Sequence, residues 1–184
     1  MSLMFQSIVE CSCALAAVSV ALLAGCSASP ERAGLRQPSE AELRSSAEET
    51  LDRFHGAAAR ADSDAYFALF APDGVFLGTE ASERWSVADF RTYAEPYFSQ
   101  GKGWTYVPVE GGRHLNFDTA RDYAWFDELL RNEKYGLCRG SGVLRLVRDS
   151  SRPTWLIVQY NLHFPIPNEL AGEITQRVRT WKQP

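Results

Sequence analysis

The segment YAWFDELLRN, residues 123–132, places two adjacent carboxylates, Asp127 and Glu128, in what otherwise has the composition of an aromatic strand. Strands are depleted in acidic residues, so the pair is a candidate for chemistry. Successive side chains along a strand point to opposite faces, and the two carboxylates therefore cannot act as one catalytic pair. We expect Asp127 to face an enclosed pocket and Glu128 to be solvated or at the rim of an interface.

The last predicted strand, TWLIVQYNLHF, supplies further polar groups. Strict alternation puts one set of residues on a face that becomes polar toward its C-terminal end, as expected for a cone with an apolar tip and a polar mouth. The opposite face carries Leu156, Val158, Tyr160 and Leu162, which suits an interface on the outside of the sheet. The predicted pocket residues are Trp125, Asp127, Gln159, Asn161 and His163, with Tyr66, Trp85 and Tyr97 from the helical side.

This set of residues could perform acid–base chemistry. A carboxylate enclosed by apolar side chains is suited to proton transfer near neutral pH, so Asp127 is the candidate general base. His163 could shuttle a proton, while Gln159 and Asn161 could orient a carbonyl or hydroxyl group. The alternative is structural: the amides bind backbone or water, and Asp127 forms an ion pair. The candidate partners for that pair are Arg84, Arg91 and Arg139.

Metal, phosphate and nucleic-acid sites are not indicated. The three histidines, His55, His114 and His163, lack ligand-like spacing, so we predict no metal and no cofactor. The Gly140–Gly142 GSG motif lies within a predicted strand and precedes no helix, which favours a sheet irregularity over a phosphate loop. The net charge is −4 and no basic block is present, so nucleic-acid binding has no electrostatic basis.

The N-terminal region has the character of an export signal. Cys11 to Ala24 is apolar but too short to span a bilayer comfortably, and it leads into Leu23-Ala24-Gly25-Cys26, which resembles a bacterial lipobox. This resemblance implies cleavage before Cys26, lipid on its sulfur and a lipid-anchored, exported domain at the bacterial cell envelope. Against the usual pattern, the first residues contain no Lys or Arg and include Glu10. The alternative is a buried apolar helix that opens the domain.

The remaining chain predicts helices followed by strands. Residues 1–25 are the predicted signal, 26–38 a tether and 39–184 the domain. Ser39 and Glu42 form a capping box for a helix over about 40–60, whose apolar stripe is Leu43, Ala47, Leu51, Phe54 and Ala58. A short second helix begins near Asp62, and the segment APDG is expected to form a turn after it. A third helix follows Ser86, with a kink or break expected at Pro96. Four long strands from Trp104 onward, joined by short turns, predict an antiparallel meander, and a last helix follows Asn168.

This order defines an α+β class, with a curved sheet around helices enclosing a cone. The segments that carry a family resemblance are AYFALFAPDGVFLGTEASERW, FRTYAEPYF, AWFDELL, GSGVLRL and WLIVQYNLHFPIPNEL. Over about residues 45–170 they resemble SnoaL-like members of the nuclear transport factor 2-like superfamily. The resemblance implies a conical α+β barrel with an internal pocket and a homodimer through the outer sheet face.

Three functions are compatible with that fold, since fold does not fix function. The first is a membrane-anchored domain that binds a small apolar molecule carrying a polar group. The second is a cofactor-independent acid–base enzyme of the isomerase or dehydratase type, using Asp127. The third is a non-catalytic dimeric scaffold.

Overall fold

A six-stranded sheet curves around the N-terminal helices. Across the sheet, its strands lie in the order Arg84–Ser86, Phe70–Leu77, Thr154–His163, Gly136–Val147, Tyr123–Asn132 and Val107–Phe117. The computed structural model describes residues 37–148 and 152–181. The described residues belong to one compact unit, Gln37–Pro184. The signal, Cys26 and the tether up to residue 36 lie outside them. The elements are α1 Glu40–Ala59, α2 Ser63–Phe67, β1 Phe70–Leu77, β2 Arg84–Ser86, α3 Val87–Phe98, β3 Val107–Phe117, β4 Tyr123–Asn132, β5 Gly136–Val147, β6 Thr154–His163, a 3-10 turn Asn168–Leu170 and α4 Ala171–Thr180. The predicted α+β class is confirmed.

The first helix begins where its capping signal indicates. The Ser39 hydroxyl accepts the Glu42 N–H at 3.3 Å, and the Glu42 carboxylate accepts the Ser39 N–H at 2.8 Å. These two bonds satisfy helix donors that would otherwise lack partners, so the capping box is confirmed. The third helix has Ser86 as its N-cap and continues through Pro96 to Phe98. The helix is therefore not broken at Pro96, and the other expectation, a kink at this residue, stays a prediction.

The predicted antiparallel meander of β3, β4, β5 and β6 is confirmed. A parallel pairing between β1 and β6 was not predicted. The segment APDG, expected to be a turn, lies inside β1, which extends from Phe70 to Leu77. Pairing is interrupted across this segment: Phe70 lies opposite Ile157, and regular pairing resumes with Val75 opposite Gln159.

A bulge in β6 reverses the faces of its second half. Val143 of β5 lies opposite Gln159, while the next residue, Leu144, lies opposite Ile157, so Val158 is an extra residue. Ile157 and Tyr160 are consequently both buried, although strict alternation places them on opposite faces. The alternation predicted for this strand is therefore wrong beyond Ile157.

The core lies between the helices and the concave face of the sheet. The α1 stripe predicted from helical spacing is buried, with Leu51 fully enclosed. Trp155 of β6 donates its indole N–H to the Leu43 carbonyl at 3.2 Å and lies 3.0 Å from the Ser46 hydroxyl, which ties α1 to the sheet. Buried indole N–H groups need such partners.

Candidate functional site

The two carboxylates of β4 do point to opposite faces, but the predicted orientation is wrong. Glu128 is completely buried, together with Ala124, Phe126 and Leu130. Trp125 is 49% exposed and Asp127 is partly exposed on the outer face. The physical reason is that the even-numbered face of β4 is the more apolar one apart from its glutamate, and the core selects that face.

The polar residues of β6 also lie on the outer face. Gln159, Asn161 and His163 follow the bulge at Val158, which turns them away from the core. The structure therefore groups the predicted pocket residues of β4 and β6, but on the side of the sheet opposite to the expected one. The predicted outer-face assignment is likewise wrong for Tyr160 and Leu162, which are both buried.

Within the sheet, a polar row crosses this outer face. Asp127 lies opposite His114 on β3 and Ser141 on β5, and Ser141 lies opposite Asn161 on β6. Among the described residues, no hydrogen bond or ion pair holds the Asp127 carboxylate. Catalytic roles for Asp127 and His163 remain predictions. Those roles depended on an enclosed, apolar pocket around the two side chains, and both side chains lie on the outer face of the sheet instead.

Glu128 is the centre of a buried polar network that the sequence did not predict. Its Oε1 accepts hydrogen bonds from His55 Nε2–H at 2.6 Å and from the Tyr160 hydroxyl at 3.1 Å. Its Oε2 accepts from Arg113 Nε–H at 2.8 Å. Arg113 Nη2 lies equally close to Oε2 but without the alignment of a hydrogen bond, so it adds charge rather than a second bond. Arg113 Nη1 donates to Asp52 at 2.8 Å.

The electrostatics of this network keep Glu128 ionised. Burial acts to raise the pKa of Glu128, but the bond to His55 and the Arg113 charge outweigh it and lower the pKa below its ordinary value. Burial, followed by the charge of Glu128, raises the pKa of Tyr160 well above its ordinary value, so the phenol stays protonated. An ionised acceptor thus meets three donors, which is the condition for a stable buried charge.

Gly140 makes room for this arrangement. A Cβ at this position would overlap the Tyr160 hydroxyl and lie 3.1 Å from Glu128 Oε1. The first glycine of the GSG motif is therefore explained by close packing against the network. No member of the network lines the cleft described next, so its role is to hold α1, β3, β4 and β6 together.

A cleft of about 390 Å³ opens between α3, the β1–β2 connection, the segment before β3 and the β4–β5 hairpin. Most of the residues that line it are aromatic. They are Phe76, Gly78, Thr79, Glu83, Trp85, Phe90, Tyr93, Tyr97, Trp104, Tyr106, Lys134, Tyr135, Leu162 and Phe164. The sequence could not assemble this set, because its members come from six separate parts of the chain.

One wall of the cleft is a series of nearly parallel rings. Phe76 and Phe90 have centroids 3.9 Å apart, and Trp85 and Phe90 are 5.4 Å apart with planes inclined by 6°. Tyr93 continues the stack, 4.7 Å from Trp85 and inclined by 23°. Stacked rings of this kind present a flat face and extend naturally to one more ring.

The polar groups of the cleft are mainly phenols. Burial, followed by interactions with Cys138 and neighbouring groups, raises the pKa of Tyr106 to about 12. Burial also raises the pKa of Tyr93. Both hydroxyls therefore stay protonated and can donate hydrogen bonds. Lys134 Nζ lies 4.8 Å from the centre of the Tyr135 ring, a cation–π distance at the edge of the cleft.

Two of the three predicted helical-side pocket residues line this cleft. Trp85 lies in its ring stack and Tyr97 is 46% exposed beside Tyr93 on α3. Tyr66 does not line the cleft, because it is buried in the core, stacked 4.5 Å from Phe54. The i,i+4 spacing of Tyr93 and Tyr97 places both rings on one side of α3, and this spacing is a sequence signal for a shared wall. Ligand contact by any of these side chains remains a prediction.

No group of three or more His, Cys, Asp or Glu side chains in residues 37–148 and 152–181 could hold a metal ion. Within the same ranges, no helix is both long and apolar enough to cross a membrane.

The fold and the cleft define an α+β cone of the nuclear transport factor 2-like type. The family model described as a SnoaL-like domain matches residues 47–167, and the chain belongs to this family. No curated protein matches the sequence.

Solved structures support the same fold. A nuclear transport factor 2-like protein of unknown function from Pseudomonas putida is 19% identical, with a TM-score of 0.51 over 70% of this chain and 89% of that one. A candidate dehydratase of the same family from Streptomyces avermitilis is 11% identical, with a TM-score of 0.54 over 67% and 96%. A candidate ketosteroid isomerase from Shewanella frigidimarina is 16% identical, with a TM-score of 0.50 over 65% and 96%.

Proposed function

We propose that this protein is a small-molecule-binding domain, held at the bacterial cell envelope by lipid on Cys26. Its ligand is a flat, mainly apolar molecule that carries hydroxyl or carbonyl groups. The observation that carries the proposal is the cleft wall of nearly parallel rings from Phe76 to Tyr93, next to phenols that can donate hydrogen bonds to a ligand.

The size and chemistry of the cleft support this ligand class. Its volume of about 390 Å³ falls within the range of small-molecule sites, which combine an apolar lining with a few polar groups. The stacked rings favour a planar ligand, and the protonated Tyr93 and Tyr106 hydroxyls favour an acceptor such as a carbonyl. A ketosteroid, the class named for the candidate isomerase from Shewanella frigidimarina, has this combination of properties.

The proposed assembly is a homodimer through the outer face of the sheet. Trp125 and Tyr123 are both more than two-fifths exposed on this face, and the apolar Leu156 and Val158 accompany them. Large exposed aromatic residues are enriched in protein interfaces. Native mass spectrometry of the detergent-extracted protein would report the dimer, the acyl chains on Cys26 and any bound ligand together.

Binding can be measured by tryptophan fluorescence, since Trp85 and Trp104 line the cleft. The probes are a planar polycyclic ketone and a flexible alkyl ketone of similar size. Binding of the planar probe is expected, with about fivefold weaker affinity for Tyr97→Ala, because a lost aromatic contact costs about 1 kcal/mol. Tyr123→Ala is the matched control, since Tyr123 is equally exposed but lies on the outer sheet face. Because that face is the proposed dimer interface, the affinities of the two variants are compared at the same oligomeric state, checked by native mass spectrometry.

The outcome distinguishes the proposal from its alternatives. Equal loss of affinity in both tyrosine variants, or equal binding of both probes, would contradict recognition in the cleft. Absence of binding together with a stable dimer would favour the scaffold. Turnover that Asp127→Asn abolishes while binding persists would favour the acid–base enzyme, a function for which the outer-face position of Asp127 offers no support.

A further inference from the structure

The C-terminal helix α4, Ala171–Thr180, stands apart from the core. None of its residues is buried, and its main packing partner is the short 3-10 turn Asn168–Leu170 that leads into it. A ten-residue helix is marginal in water without tertiary packing. The helix therefore lacks, within residues 37–148 and 152–181, the surface that would stabilise it.

This helix nevertheless has an apolar stripe. Leu170, Ile174 and Val178 follow one another at four-residue spacing, and Trp181 comes directly after the last turn. Val178 is 68% exposed and Trp181 is 72% exposed. Residues at i, i+4 and i+8 lie on one side of a helix, so these side chains form a continuous apolar surface. Isolated exposed apolar residues are common, but an aligned series of them indicates a partner.

The charges on the helix indicate which partner. Glu173, near the start, accepts one hydrogen bond from Arg177 Nε and forms an ion pair with its Nη2, which neutralises the only acidic side chain of the helix. Arg179, near the end, has no described partner, and the sequence continues with Lys182. Positive charge is therefore concentrated at the end that carries Trp181. Tryptophan and basic residues beside an apolar stripe are typical of helices that lie in the interface of an anionic bilayer.

We propose that α4 is a membrane-surface helix that inserts its apolar stripe between anionic phospholipids, with the C-terminal end binding their headgroups. The choice of a bilayer as partner rests on the proposed lipid attachment at Cys26, which would keep the domain beside a membrane. Acyl chains on Cys26 would hold the domain at the bilayer through the predicted tether of residues 26–38, which does not fix how the domain is oriented. A second contact of this kind would fix that orientation.

The test uses a chain that begins at Ser27, so that neither the apolar segment 11–24 nor acylation contributes. The compact unit Gln37–Pro184 contains the whole described core, so this chain includes everything that folds the domain. Flotation with vesicles of equal parts phosphatidylglycerol and phosphatidylcholine, and with phosphatidylcholine alone, measures partitioning. Val178→Glu places a charge on the stripe, and Gln176→Glu places the same charge on the opposite side of the helix.

The expected result is binding to the anionic vesicles, weaker binding to phosphatidylcholine, and about tenfold weaker partitioning for Val178→Glu than for Gln176→Glu. Equal partitioning of the two variants, or no binding of the parent chain, would overturn the proposal. It would also be overturned if Val178→Glu abolished self-association in solution, or altered ligand affinity without vesicles. Acylation of the extracted protein is measured separately by its mass, so failure of the Cys26 proposal and failure of the helix proposal give different results.

Discussion

Replacing Glu128 with Gln tests the reasoning about the buried network most directly. Gln has nearly the same shape but no charge, and the site has no solvent to compensate the lost interactions. The glutamine side chain has one oxygen and one NH₂ group. Its NH₂ group must face either His55 and Tyr160 or Arg113, although all three side chains are hydrogen-bond donors to Glu128 in the wild type. Removing one partner of a buried ion pair costs about 3–5 kcal/mol. Because Arg113 keeps its bond to Asp52, we expect a loss of about 3 kcal/mol in the free energy of unfolding.

The pH dependence of this loss has a definite sign. The pKa of Glu128 in the folded protein is lowered from its ordinary value of 4.5, so the folded state favours the ionised form more than the unfolded chain does. The contribution of Glu128 to stability is therefore complete above the unfolded pKa and is lost as the pH falls through the folded pKa. The difference between wild type and Glu128→Gln should be greatest near neutral pH and should shrink in acid.

Urea unfolding, followed by circular dichroism near pH 7 and at about pH 4, measures both effects. Asp127→Asn is the matched control, because it removes the neighbouring carboxylate on the opposite face of the same strand. We expect the control to lie within about 0.5 kcal/mol of wild type. The reasoning is refuted if Glu128→Gln matches wild type at neutral pH, if Asp127→Asn is equally damaging, or if the difference does not shrink in acid.

Three further predictions concern the same fold. Gly140→Ala should lower the free energy of unfolding by at least about 2 kcal/mol, since its methyl group would displace the buried Tyr160 hydroxyl, and the shift of the urea midpoint measures this. Tyr160→Phe removes one bond to Glu128 and should cost about 1–2 kcal/mol in the same assay. Ser39→Ala should cost about 1 kcal/mol through the bonds shared with Glu42, whereas Ser39→Asp, another N-cap, should stay close to wild type. A wild-type midpoint for Gly140→Ala, or equal midpoints for the two Ser39 variants, would contradict these assignments.

Local signals in the sequence were sufficient for much of the fold. The capping residues Ser39 and Asp62 and the apolar stripe of α1 depend on neighbours within one helical turn, and their predictions agree with the structure. The four-strand meander could equally be predicted from the sequence, because its turns join strands that are adjacent in the chain. The parallel pairing of β1 with β6 joins segments far apart in sequence, and no local pattern marks it.

The candidate site was less predictable from the sequence than the fold, for a physical reason. One extra residue, Val158, inverts every later side chain of β6, and the sequence contains nothing at that position that requires a bulge. On β4 the alternation itself was correct, but the choice of face depended on treating a glutamate as a surface residue. His55 lies four residues after Leu51 on the buried side of α1, and a histidine there was a usable signal for a buried acidic partner.

The separation of Asp127 from Glu128 decides where recognition can occur. A carboxylate that serves a ligand must keep acceptor capacity, yet both oxygens of Glu128 accept hydrogen bonds from His55, Tyr160 and Arg113. Opening that network for a ligand would leave an ionised carboxylate in the core without hydrogen-bond partners, which has a large free-energy cost. The carboxylate oxygens of Asp127 keep their capacity to accept hydrogen bonds, but Asp127 lies on the outer face of the sheet. The interior carboxylate therefore belongs to the fold, and the function proposed above assigns ligand recognition to the stacked rings and protonated phenols of the cleft, groups that favour a planar ligand with hydrogen-bond acceptors.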